Sequence, residues 1–375
     1  MTSISLYTPT WAALGGGEKY ILTLAEALSN MSGVAVTLLL SDRPLDKRQL
    51  ESFFGVDLSK VPFKERIGAS DDQDVFICLS NFRKIESSAR TRVQLLQIPY
   101  GRIVPASVLS KLARGQLKET VKDVYRLRLL AYSRGRASLV ITNSRFVRDT
   151  LGANFGIESH VLYPPIHDFR LAGVKKENTI LSVGRFFAGL YNQKRYDILT
   201  EAFRMLHADL PDWEYHIVGS AGSDASTLRM LEELKSRSRD LPVYFHVNEP
   251  YASLQRLYNR TSVLWHAAGY GVDEERNPEN VEHFGMTTVE AMSAGCIPLV
   301  INKGGQKEII QQGVNGYLWN SVDELVAQTL MVARADDSTL AELRESARLR
   351  YRDFSLERFR QRVDELFSPF IASAH

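Results

Sequence analysis

Short apolar runs and helix-period segments alternate along the whole chain, and the alternation starts twice. ISLYTPT, VAVTLLL, VFICLS, VQLLQI and LVIT read as strands in the first half, separated by a helix pattern over 17–31, a long basic helical region and a helix from about 144. Pro164, Pro165 and the polar stretch LAGVKKEN then interrupt. TILSVG, WEYHIVG, VYFHV, SVLWHA and CIPLVI restart the pattern, and helical stretches near 321–334, 338–351 and 355–370 close it. Strands this uniformly apolar need both faces covered, which is the property of a parallel sheet with helices on either side. At 375 residues there is chain enough for two such cores. The expected fold class is therefore α/β, with two Rossmann-like domains over 1–168 and 175–352. They should face each other across a cleft at the carboxyl ends of both sheets, where ligands of such sheets bind.

Only two cysteines are present, Cys78 in VFICLS and Cys296 in AGCIPLV. Both sit in apolar runs where a thiol packs as a small hydrophobe, so a reducing cytoplasm is expected. No leader pattern opens the chain, and no apolar run reaches the roughly 20 residues that span a bilayer. Net charge is +2, yet 100–150 holds eleven Lys or Arg against three acids, which leaves the rest of the chain acidic. That stretch is either a solvated helix face or a surface for an anionic partner. In VLSKLARGQLKETVKDVYRLRLL, the residues Val108, Leu112, Val121, Val124 and Leu127 recur at helical spacing, to pack on lipid or on the protein's own core. No nucleic-acid partner is expected.

Four stretches could carry chemistry. GGGEKY follows the first strand and opens the first helix, so the amides of Gly16 and Gly17 could face an anion. Asp42 at the end of the second strand would complete a dinucleotide layout, but the third glycine of G-x-G-x-x-G is missing. Arg185 lies just past TILSVG and Lys194 begins the next helix, a pair of cations suited to a diphosphate. Gly219 ends the strand WEYHIVG. EHFGMTTVE places Glu282 and Glu290 around Gly285, Met286 and Thr287 where a strand gives way to a helix. Thr287 and Glu290 also read as a T-x-x-E capping box, which would fold the Glu290 carboxylate back onto its own helix. The D-x-D of Asp72 to Asp74 precedes a strand and reads as a surface turn. The eight histidines show no helical metal-ligand spacing.

EHFGMTTVEAMSAGCIPLV resembles the E-x7-E signature of the retaining glycosyltransferases of family 4, which have the two-domain GT-B fold. GGGEKY, TNSRFVRDTL, VLYPPI and VGRF followed by QKRYDILTEAF occur in the same order. The form EHFG with YPP looks most like the mannosyltransferases of lipid-linked oligosaccharide assembly and their bacterial relatives. The resemblance implies that a hexose of mannose or glucose type moves, with retention, from a GDP-sugar or UDP-sugar to a saccharide acceptor, lipid-linked in the nearest subfamily. Glu290 would hold the donor ribose and Glu282 the hydroxyls of the transferred sugar. Arg185 and Lys194 would meet the diphosphate, with the amides around Gly285, Met286 and Thr287 and, from the first domain, Gly16 and Gly17. Gly219 joins the donor-binding set. No metal is expected to be required, and the segment 353–375 should cross back onto the first domain. Relatives often carry a histidine where LLQIPYG has Gln97, which cannot become cationic. A sugar-nucleotide epimerase, a phosphorylase or a non-catalytic nucleotide-sugar binder are the alternatives on the same scaffold. The basic stretch 100–150 suggests an enzyme peripheral to the inner face of a membrane.

Overall fold

The structure, a computed structural model, describes residues 1–9, 11, 15–41, 45–66, 68, 73–187 and 194–372. The chain divides into two compact units: Met1–Pro165 with Leu356–His375, and Ile166–Ser355.

The first unit runs β1 (Thr2–Tyr7), α1 (Gly16–Ser29), β2 (Val34–Leu40), α2 (Lys47–Phe54), β3 (Phe63–Glu65), β4 (Val75–Leu79) and β5 (Thr91–Leu96). It continues with α3 (Pro105–Ala113), α4 (Leu117–Gly135), β6 (Leu139–Thr142), α5 (Arg145–Phe155) and β7 (His160–Val161). Its sheet is parallel, in the order β3-β2-β1-β4-β5-β6-β7. Every residue of β4 is buried, as a central strand covered on both faces requires. Asp46 caps α2 and Ser144 caps α5 through their side chains, and Gly55 and Gly156 end those helices in the left-handed conformation.

The second unit runs β8 (Glu177–Val183), α6 (Tyr196–His207), β9 (Glu214–Gly219), α7 (Ala225–Arg237), β10 (Val243–Val247), α8 (Tyr251–Arg260) and β11 (Thr261–His266). Then follow α9 (Met286–Ser293), β12 (Ile297–Ile301), α10 (Gln306–Ile309), β13 (Tyr317–Trp319), α11 (Val322–Ala333) and α12 (Asp337–Tyr351). The sheet order, β10-β9-β8-β11-β12-β13, repeats that of the first unit. Each sheet thus has one switch point, where strands on either side depart in opposite directions: between β1 and β4, and between β8 and β11.

The last helix, α13 (Leu356–Ala372), belongs to the first unit. Phe359, Val363, Leu366 and Phe367 are buried in that unit's core, and burial of such side chains stabilises by about 2 kcal/mol each. Phe359 meets Tyr20 edge-on at 5.8 Å, and Arg360 reaches Glu26 at 3.3 Å.

The stretch from Pro164 through LAGVKKEN, which interrupts the strand pattern and suggests a linker by composition, is partly bound to the second unit. Phe169 is buried, its amide donates to Ser293 Oγ at 3.0 Å, and its carbonyl accepts from Asn259 at 2.7 Å. Two aromatic rings, Tyr251 and Tyr258, lie about 5 Å from its own. Lys176 is also drawn in: its ammonium donates to the carbonyls of Tyr258 and Ala294. The polar composition signalled a link, whereas the single apolar Phe169 decides the packing.

Candidate active site

At the switch point of the second unit, β8 is followed by Gly184, whose amide donates to the Val218 carbonyl at 3.0 Å. A Cβ on Gly184 would lie 2.8 Å from the Lys194 stem, so the missing side chain is what lets Lys194 lie across the strand end. Arg195 takes a left-handed φ of 52° before α6 and is held by Asp197 and the Tyr270 carbonyl. The neighbouring Lys194 is thereby directed to Glu282, Nζ to Oε2 at 2.6 Å. The same oxygen accepts from His266 Nε2 at 3.0 Å, at the last residue of β11.

These three side chains are nearly or wholly buried, His266 most of all. Burial alone would push the Glu282 carboxyl up. The Lys194 charge and the hydrogen bonds from His266 and Lys194 outweigh it and hold the group well below the usual carboxylate range. Burial also lowers the His266 pKa, against the pull of Glu282. Arg185, just after Gly184, is exposed. The two cations singled out from sequence therefore differ: Arg185 faces solvent, and Lys194 is already paired.

Glu290 resolves differently from the capping-box reading. The helix α9 begins at Met286 with Gly285 as N-cap, at φ 120°, so Thr287 is already inside the first turn and no side chain caps the helix. Glu290 Oε2 instead accepts from the Tyr258 hydroxyl at 3.0 Å. Tyr258 is buried; burial, then the charge of Glu290, raises its pKa well above the ordinary value, so it donates at any working pH. The same causes, burial first, push Tyr251 up to about 12.

The loop carrying Glu282 rests on a turn that sequence reading passed over. The Gly305 amide donates to the Glu282 carbonyl at 2.8 Å, and side chains at Gly304 or Gly305 would strike the backbone of Glu282 or Phe284 within 2.4 Å. Glu274 in the preceding insert accepts from the Gly304 amide at 2.7 Å and from Lys307 at 2.6 Å. The glycine pair in INKGGQK, just after β12, was the available signal. His266 left none because it closes the apolar run SVLWHA, and Tyr258 left none because nothing in the polar helix YASLQRLYNR sets one aromatic apart. A Cβ on Gly219 would fall 1.9 Å from the Gly184 carbonyl oxygen, so that glycine keeps the ends of β8 and β9 together.

The first unit has its own site at its own switch point. A pocket of about 310 Å³ is lined by Thr8 after β1, Gly17 in α1, Ser80, Asn81 and Arg83 after β4, and Gln97 after β5. Gly16 opens α1, and the Gly15 amide is bonded by Glu18 at 3.1 Å. Gln97 donates its amide to Asn81 Oδ1 at 2.7 Å. Asp42 and Asp72 lie outside the described residues; Asp74 accepts from the backbone amide and hydroxyl of Ser3 in β1.

The α3–α4 pair does not bury its apolar stripe. Leu109, Leu112, Leu117, Val121, Val124 and Tyr125 are all exposed, and Val108 and Leu127 are half-buried. The core side of α4 is instead Thr120, Asp123, Leu129, Leu130 and Tyr132. Lys111 is bound to buried Asp123 at 2.5 Å and is a structural cation. Among the described residues no helix is long and apolar enough to cross a membrane.

Residues 165–350 match the family described as glycosyl transferases group 1. That stretch of the chain belongs to the family. The chain is 29% identical over 210 residues to human alpha-1,3/1,6-mannosyltransferase ALG2, covering 50% of this chain and 47% of that protein. It is 27% identical over 217 residues to the GDP-Man:Man(3)GlcNAc(2)-PP-Dol alpha-1,2-mannosyltransferase of Xenopus laevis, covering 53% and 41%. The matches thus span less than half the length of these relatives. The fold is similar to that of Anabaena HepE, solved with UDP and glucose, with a TM-score of 0.68 over 98% of this chain and 100% of that one at 16% identity. Two Rossmann-like units and a match to a glycosyltransferase family, both expected from the sequence, therefore hold.

Proposed function

We propose that the glycosyltransferase moves a hexose, with retention, from a nucleoside diphosphate sugar to a saccharide acceptor. The observation that carries this is the pair of signature glutamates, each fixed through Oε2 by a buried neighbour, beside a cation with unspent donors. Glu282 is bound to Lys194 and His266, and Glu290 to Tyr258. Lys194 uses one of its three N–H groups on Glu282; the other two, together with exposed Arg185 and the amides opening α9 at Met286 and Thr287, suit a diphosphate. Glu282 then meets hydroxyls of the hexose and Glu290 those of the ribose. The C1–O bond to the diphosphate breaks as the acceptor oxygen bonds to C1 from the same face, and the acceptor proton passes to the departing phosphate. The cations meet the charge growing on that leaving group, so the reaction needs no metal in this reading.

Two supports bear on the partners. The relatives named as mannosyltransferases point to mannose, while the neighbour holding UDP and glucose leaves a UDP-sugar open. The exposed apolar stripe of α3–α4, beside exposed Arg114, Lys118 and Arg128, suits an acceptor on a lipid carrier and an anionic membrane surface, where each cation contributes about 1 kcal/mol. The pocket at the first unit's switch point, where Asn81 and Gln97 stand with Glu18 and Arg83, suits the acceptor saccharide.

Thermal-shift screening against GDP-mannose, UDP-glucose and UDP-N-acetylglucosamine tests the donor. One of them should raise the melting temperature by several degrees at a hundredfold excess over its dissociation constant, and Glu290→Gln should remove most of that shift. A protein that none of these donors stabilises is not the proposed enzyme. Co-sedimentation with vesicles rich in anionic lipid, unaffected by Leu117→Asp or Lys118→Glu, would remove the membrane part alone.

A further inference from the structure

We infer that His266 is a positioning residue for sugar transfer: it fixes the Glu282 carboxylate through Oε2 so that Oε1 is left for a hydroxyl of the transferred hexose. The inference rests on the reading of Glu282 as a contact to that hexose. Both bonds to the carboxylate fall on one oxygen, from Lys194 at 2.6 Å and from His266 at 3.0 Å. Among the described residues no hydrogen bond is made to Oε1. An ionised carboxylate only accepts, so the shared proton is on His266 Nε2, and Nδ1 is left buried without a partner. A second proton on Nδ1 would sit unsolvated beside the Lys194 charge. The imidazole is therefore a neutral donor.

A neutral donor matters because Lys194 has two claims on it. A diphosphate attracts the ammonium as strongly as Glu282 does, and a side chain with four rotatable bonds can follow the anion. Were Lys194 the sole anchor, donor binding would release the carboxylate that must hold the sugar. His266 gains nothing from the diphosphate, and it sits on the last residue of β11, whose pairing with β8 and β12 fixes its backbone. It keeps Glu282 in place while Lys194 shares itself with phosphate.

The test compares His266→Leu, His266→Asn and His266→Gln by calorimetry with GDP-mannose, UDP-glucose, GDP and UDP. Leucine has no donor and asparagine is too short to reach Glu282, whereas the glutamine Nε2–H can replace the imidazole donor. His266→Leu and His266→Asn should lose about tenfold in affinity for the sugar nucleotide that the wild type binds, the scale of one hydrogen bond to a charged group. His266→Gln should stay within about threefold, and all three should bind the sugarless diphosphate within about twofold of wild type. Parallel losses for the sugar-bearing and sugarless nucleotides would show that His266 only supports the fold, and an unchanged His266→Asn would show no role at all; either result overturns the inference. If His266→Leu does not fold, the contrast between asparagine and glutamine carries the test. A wild type that binds none of the four nucleotides overturns the glycosyl-transfer reading and this inference together, which separates the two kinds of failure.

Discussion

The two units wind their sheets in the same order, yet their switch points are built from different chemistry. Between β8 and β11 lies a nearly dry cluster of Lys194, Glu282 and His266. Between β1 and β4 lies an open pocket lined by Thr8, Ser80, Asn81 and Gln97 and by the charged Glu18 and Arg83. Strand order fixes where a ligand can sit; it leaves open whether the site holds buried charge. Buried charge is costly to misplace, so the cluster of the second unit must be preorganised, whereas the charges of the first unit's pocket, Glu18 and Arg83, are partly or fully solvated.

The contrast breaks if charge removal costs the same in both units. Lys194→Ala should destabilise the second unit by about 4 kcal/mol, because Glu282 keeps its burial and loses its counter-charge. Arg83→Ala should change stability by no more than about 0.5 kcal/mol. Denaturant unfolding followed separately in each unit by hydrogen exchange checks both.

Glycines at the two sites sharpen it. Gly219→Ala forces a Cβ to 1.9 Å from the Gly184 carbonyl oxygen and should cost about 3 kcal/mol. Gly17→Ala meets nothing nearer than Gln97 Oε1 at 3.4 Å and should be neutral within about 1 kcal/mol.

Acid should separate the units by a smaller margin. Burial lowers the pKa of His266, His216 and His246, all in the second unit. Below the ordinary value of 6.5 the unfolded chain takes up protons that these folded histidines refuse, so stability falls as pH falls through that value. The depressed Glu282 adds to this below 4.5, where the unfolded carboxyl protonates and the folded one does not. The protection factors of amides in β8–β13, corrected for the intrinsic pH dependence of exchange, should therefore fall before those in β1–β7 as pH drops from 7 to 5. Equal loss of protection in both sheets would show that the histidines do not matter.

The sequence reading carried the strand pattern because central parallel strands are apolar throughout, and it carried Glu282 and Glu290 because their spacing is local. It missed their partners. Lys194 and Glu282 are 88 residues apart, and only the adjacency of β8 and β11 joins them. The capping box failed for a local reason: Gly285 reaches a φ of 120° and starts the helix early. In the basic stretch the charges were legible, but the burial of Asp123 that ties down Lys111 was not.

The crossing of α13 into the first unit has a consequence for biosynthesis. As the chain leaves the ribosome, residues 166–355 are complete while the other unit still lacks Phe359, Val363, Leu366 and Phe367 of its core. The second unit can finish folding first, and the first waits with an open groove along α1 for the helix that emerges last. Nascent chains stalled after residue 355 should therefore hold a protease-resistant second unit and a first unit that protease still cuts.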